Sequence, residues 1–176
     1  MRIRANRAVF SIVPIIIGLS MTVGSIMSAS SEPVVTEAIV DAPVANVWNA
    51  LTTKEGIESW MVMKTDIDLR PGGLWRTSYS KDSNLDDDAA IHHLILAYDP
   101  GRMLSYRTIK VPGNFPYPNA IQKTWAVIYL EPEGVSRTKV TTHMLGFGDD
   151  EESRKMRAFF EAGNRTTMDN LLKRFR

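Results

Sequence analysis

Between positions 149 and 175, Met156, Phe159, Phe160, Met168, Leu171, Leu172 and Phe175 recur at three- and four-residue intervals, with Arg154, Lys155, Glu161 and Lys173 between them. That period puts the apolar side chains on one stripe of an α-helix and the charges on its other faces. Asp149, Asp150, Glu151 and Glu152 stand at the positive end of its dipole, and Lys173, Arg174 and Arg176 at the negative end, where each sign is favoured. At ~1.5 Å per residue such a helix is on the order of 40 Å long. An apolar stripe of that length needs a broad surface to cover, and the preceding sequence offers a sheet.

From position 63 to 144 the chain alternates strand-like runs with turn chemistry: Pro71-Gly72, Pro100-Gly101 and Glu133-Gly134 all suit tight reversals. Strands are predicted at about 63–69, 73–80, 89–98, 102–109, 121–131 and 135–144. Hairpin turns with no helical pattern between them make an antiparallel meander. Two longer loops interrupt it, the acidic 81–88 and the proline-rich 111–119, where Phe115 and Tyr117 form a stiff amphipathic segment suited to a rim or lid, or simply tucked over the core. Upstream, 34–40 reads as a first strand, and Asp41-Ala42-Pro43 as the start of a helix carrying Val44, Val47, Trp48 and Leu51. A second short helix is expected from about 54 to 60. The sum is an α+β chain, β-α-α-β6-α, with a curved antiparallel sheet wrapped around a long C-terminal helix.

The N-terminus has a different character. Arg2, Arg4 and Arg7 precede an uncharged apolar run that lasts until Glu32, and Ser28, Ala29 and Ser30 supply small residues for cleavage. This is the profile of a signal peptide over 1–30, leaving a domain at 31–176. The run is also long enough to serve as an uncleaved anchor. Both versions export the domain, to the periplasm or the medium or to the outer side of a membrane.

Removing those arginines turns the formal charge of +1 slightly negative, and no basic block remains, so nucleic acid is not an expected partner. The absence of Cys excludes disulfides, thiolate catalysis and Cys-based metal sites.

Five fragments sharpen the fold. They are Asp41-Ala42-Pro43 with Val47-Trp48-Asn49-Ala50-Leu51-Thr52, Asp68-Leu69-Arg70-Pro71-Gly72-Gly73, Tyr98-Asp99-Pro100, Leu130-Glu131-Pro132-Glu133-Gly134, and Gly146-Phe147. In this order they resemble the activator of Hsp90 ATPase homologue 1-like (AHSA1-like) family of the START-like, or SRPBCC helix-grip, superfamily. The resemblance implies a helix laid over a sheet, often with an apolar pocket between. The chain departs from the pattern at Trp60-Met61, His92-His93 and Met144, so the family's binding residues are not carried over. Hsp90 itself is an unexpected partner, because an export signal separates the domain from the cytosol.

Candidate chemistry is sparse. His92 and His93 point to opposite faces of a regular strand and cannot share a site. With His143 they lack metal-ligand spacing, and Asp86, Asp87 and Asp88 lack the alternating ligands of a calcium loop, so neither metal nor cofactor is expected. No G-x-S-x-G elbow is present. A cyclase- or dehydratase-like enzyme would have to use Arg76, His92 or His93.

Alternation places Thr138, Val140, Thr142 and Met144 on the inner face of the last strand, and Trp75, Thr77 and Tyr79 on that of the second sheet strand. The resemblance adds Ala126, Ile128 and Leu130. The expectation is a non-catalytic site for a small hydrophobic molecule or lipid, lined by Trp75, Tyr79, Tyr106, Ile128, Thr142, Met144 and Phe160. A purely structural or partner-binding domain, with no ligand, is the remaining alternative.

Overall fold

A computed structural model describes residues 32–176; the expected signal peptide lies outside them. One strand, β1 (Val34–Val40), leads into helices α1 (Val44–Thr52) and α2 (Lys54–Glu58). Six strands follow: β2 (Lys64–Ile67), β3 (Leu74–Ser78), β4 (Ile91–Asp99), β5 (Met103–Lys110), β6 (Trp125–Glu133) and β7 (Arg137–Leu145). The chain ends in α3 (Glu151–Arg174). All seven strands form one antiparallel sheet in the order β1-β7-β6-β5-β4-β3-β2. The expected α+β helix-grip architecture is therefore the observed one.

The Asp68–Gly73 fragment explains itself once folded. Gly73 N donates to Arg70 O at 2.8 Å, Gly72 N donates to Ile95 O at 2.8 Å, and Ile95 N donates to Gly73 O at 2.9 Å. The loop between β2 and β3 is thus stitched to the backbone of β4. A Cβ at Gly73 would fall 2.0 Å from Asp68 O, which is why the position takes glycine.

Where 121–131 predicts a continuous strand, the first residues instead make a 3-10 turn at Ile121–Lys123, and β6 starts only at Trp125. Glu152 Oε1 accepts from the amides of Asn119 at 2.8 Å and Ala120 at 3.0 Å, drawing the chain towards α3 and burying Ile121 before pairing begins. Tyr79 also differs from expectation. β3 ends at Ser78, whose Oγ accepts from Ser80 N at 3.2 Å, so Tyr79 leaves the sheet with its inward alternation broken and is 70% exposed.

The core is divided rather than continuous. Met156 on the first part of α3 packs with Val34, Ile121, Met144 and Phe147. Met168 and Leu171, near its end, pack with Val47, Leu51, Ile128 and Val140. A third cluster joins Ile57, Val62, Trp75, Ile95 and Leu104 beneath the short helices. Between Met156 and Met168 no side chain of α3 is fully buried, although the helix runs on for about three turns there. It is held at both ends and bridges a hollow in the middle.

Candidate functional site

That hollow is a cavity of about 440 Å³. Its floor is the concave face of the sheet, with Trp75 and Thr77 from β3, Ile91 and His93 from β4, and Tyr106 and Thr108 from β5. The roof is Phe160, Asn164 and Thr167 of α3, successive inward positions at helical spacing. Met61 and Val62 close one side, and the 111–116 loop closes the other. Two smaller pockets, about 90 and 60 Å³, flank it. Tyr106 and Asn164 border all three spaces.

Aromatic rings set the shape. Trp75 lies 4.9 Å from His93 and 5.0 Å from Tyr106, and His93 lies 5.1 Å from Tyr106, so three rings meet pairwise on the floor. Trp75 Nε1 donates to Thr65 Oγ1 at 3.1 Å, which fixes the indole while its faces stay apolar. His93 stands opposite Trp75 in the pairing of β3 with β4, and a slip in the register of β4 on β5 between Ile95 and Ala97 sets it opposite Thr108. Its Nδ1 is 3.0 Å from Thr108 Oγ1.

Burial, with a smaller contribution from neighbouring His92, drives the His93 pKa down to about 3. Burial, reinforced by Tyr79, pushes the Tyr106 phenol up to about 12. Both groups are neutral at physiological pH, and no Asp, Glu, Lys or Arg lines the cavity.

The rim is aromatic as well. Phe115 stands 5.8 Å from Tyr117 and 6.0 Å from Phe159, and Phe159 stands 5.4 Å from Phe160. The proline-rich loop is thus a wall continuous with α3. Its far end is tied down by Glu152, which accepts from Asn119 and Ala120. These bonds, the Ala120 amide first, hold the Glu152 carboxyl below the usual glutamate range. A lowered carboxyl stabilises the fold above its unfolded pKa and loses that contribution as pH falls through the folded value. Glu152→Gln is therefore expected to lower the melting temperature at pH 7, by a gap that narrows as pH falls below 4.5. Thermal melts at descending pH check it, and a gap that does not narrow would count against the carboxylate.

The model for the activator of Hsp90 ATPase homolog 1-like protein matches residues 41–176. The chain belongs to that family. Among curated proteins nothing matches. Solved structures share the fold. Protein MLL2253 from Mesorhizobium loti superposes with a TM-score of 0.64 at 22% identity, covering 81% of this chain and 95% of that one. NE0264 from Nitrosomonas europaea gives 0.60 at 20%, covering 81% and 93%. CalU16 from Micromonospora echinospora gives 0.57 at 22%, covering 80% and 74%.

In this AHSA1-like domain, Trp75, Tyr79, Tyr106 and Phe160 line the large cavity, with Tyr79 at the mouth. Thr142 borders the two small pockets. Met144 and Ile128 each border one of them and are otherwise core residues. Of the residues considered for catalysis, Arg76 pairs with Asp66 and Asp86, and His92 Nε2 lies 2.7 Å from Leu85 O, so both are engaged away from the cavity. Only His93 reaches it.

No cluster of three metal-ligating side chains occurs among the described residues. The sequence reading missed Asn164, Thr108 and Met61. Asn164 was findable: it sits four residues after Phe160 and four before Met168, a polar amide on an otherwise apolar stripe.

Proposed function

We propose that this chain is an exported, non-catalytic binding protein that holds one small hydrophobic molecule between α3 and the sheet. The cavity carries the reading: about 440 Å³, with an aromatic floor, an aromatic rim and no Asp, Glu, Lys or Arg in its lining, it falls in the size range of small-molecule sites. Trp75, Tyr106 and Phe160 are its principal walls and Tyr79 its edge, while Thr142, Met144 and Ile128 shape the side pockets. Export is inferred from the basic and apolar pattern of residues 1–30. For that reason the chaperone in the family's name is left out of the proposed partners. A general base works best with a pKa near the operating pH, and His93 at about 3 is far from that, which favours binding over catalysis.

Native mass spectrometry of the protein recovered from its host's extracytoplasmic fraction tests both parts. The expected result is a mature mass beginning near Ser31 together with a bound apolar adduct. Thr77→Trp, which places an indole in the cavity from a wall position that is 3% exposed, is expected to abolish the adduct while circular dichroism stays native. A full-length mass in the cytosol would defeat export. An adduct retained by a folded Thr77→Trp variant would defeat the assigned cavity.

A further inference from the structure

We infer that the molecule held in the cavity is uncharged and carries a carbonyl-type oxygen, which accepts a hydrogen bond from Asn164. This inference rests on the binding reading above and narrows it to a ligand class. Asn164 Nδ2 is shielded from solvent and has no hydrogen-bond partner among the described residues. A buried amide donor left unpaired is destabilising, and native proteins keep few of them. This one stands in the middle of α3, at the wall shared by the large cavity and both side pockets. The nitrogen is turned away from the open space, so the side chain rotates about χ2 to meet an acceptor oxygen supplied from the cavity.

The rest of the lining defines what that acceptor belongs to. An ionised ligand group buried without a counter-charge or a full set of hydrogen bonds is strongly disfavoured. No Lys or Arg lines the three spaces to receive a carboxylate or phosphate, and no Asp or Glu to receive an amine. His93 does not take the place of a cation, because burial keeps it neutral. Every polar position of the large cavity, Thr77 and Asn114 as well as His93, Tyr106, Thr108 and Asn164, is uncharged, whereas Trp75, Phe115 and Phe160 present apolar surface. The complement is an apolar, ring-bearing or branched body with one ketone, ester or lactone oxygen.

The test uses four naphthalenes substituted at the same ring position: acetylnaphthalene, ethylnaphthalene, naphthoate and naphthylmethylamine. Each displaces the neutral dye Nile red from wild type, Asn164→Leu or Asn164→Asp at pH 7.5. The expected order for wild type is acetylnaphthalene tightest, ethylnaphthalene about three- to tenfold weaker, as one hydrogen bond predicts, and the two ions weakest.

Asn164→Leu is expected to erase the advantage of the ketone over the hydrocarbon while keeping hydrocarbon affinity, and to raise the melting temperature of the empty protein by removing the unpaired amide. Asn164→Asp is expected to weaken the ketone further, by presenting a negative charge to its oxygen. Naphthoate binding as tightly as the ketone, or a ketone advantage unchanged in Asn164→Leu, overturns the inference while leaving the binding reading intact. Failure of Nile red and of all four probes to bind overturns both.

Discussion

Replacing Trp75 by Ala is expected to cost about 3–5 kcal/mol of folding stability, the usual range for deleting a buried large aromatic side chain. Trp75 is 1% exposed and joins the cluster of Ile57, Val62, Ile95 and Leu104 to the ring floor of the cavity. Its loss strips contacts from His93 and Tyr106, each with ring centroids within about 5 Å of the indole. Against a total of about 5–15 kcal/mol for a domain, this brings the protein near its unfolding threshold. Trp75→Phe keeps one aromatic ring and removes the second ring of the indole together with the bond to Thr65 Oγ1, whose hydroxyl still donates to Arg76 O at 2.8 Å. A loss of about 1–3 kcal/mol is expected there, smaller than for Ala because less volume is vacated. Urea unfolding of the two variants measures both, and equal losses would show that the remaining ring contributes nothing by packing.

Acidification is expected to destabilise the domain well before its carboxylates titrate. In the unfolded chain His93 takes up a proton near its ordinary pKa of 6.5, while in the folded chain it does not until about 3. Between those values the unfolded state binds more protons, so stability falls as pH falls, with a slope approaching about 1.4 kcal/mol per pH unit. The lowered carboxyls Glu37, Asp150, Glu151 and Glu152 begin from ordinary values of 3.8 to 4.5 and add their own losses below that range. The interval from about pH 6 to 5 therefore isolates the imidazole. His93→Gln should flatten the slope. Unfolding free energies at half-unit pH steps decide the matter, and an unchanged slope in His93→Gln would assign the effect elsewhere.

Trp75 and His93 differ in how readily they can be read from sequence. Trp75 follows from period-two alternation, because a strand whose partners are hydrophobic has only two faces to choose between. The same rule places Thr142 and Met144 on the concave side and Tyr129 on the convex side, and it fails at Tyr79 only because β3 stops one residue earlier. His93 is harder. Alternation separates it from His92, but the slip in register that sets it opposite Thr108 depends on the pairing of β4 with β5, a non-local contact. The turn at Ile121–Lys123 is hidden for a similar reason: it is made by Glu152, about thirty residues downstream.

The sequence by itself determined the elements and the fold class. Helical period, strand alternation and Gly-Pro punctuation are local properties, and the fragments from Asp41 to Phe147 have a fixed order. Only the tertiary structure decided that the long helix stands clear of the sheet. Met156 and Met168 are both apolar residues on one stripe, and nothing local distinguishes a stripe buried along its whole length from one seated at its two ends. The gap between them exists because the helix is seated on separate core clusters at those two places, leaving Phe160, Asn164 and Thr167 over open space. The position of Asn164 on that stripe is the one trace of the hollow that the sequence carries.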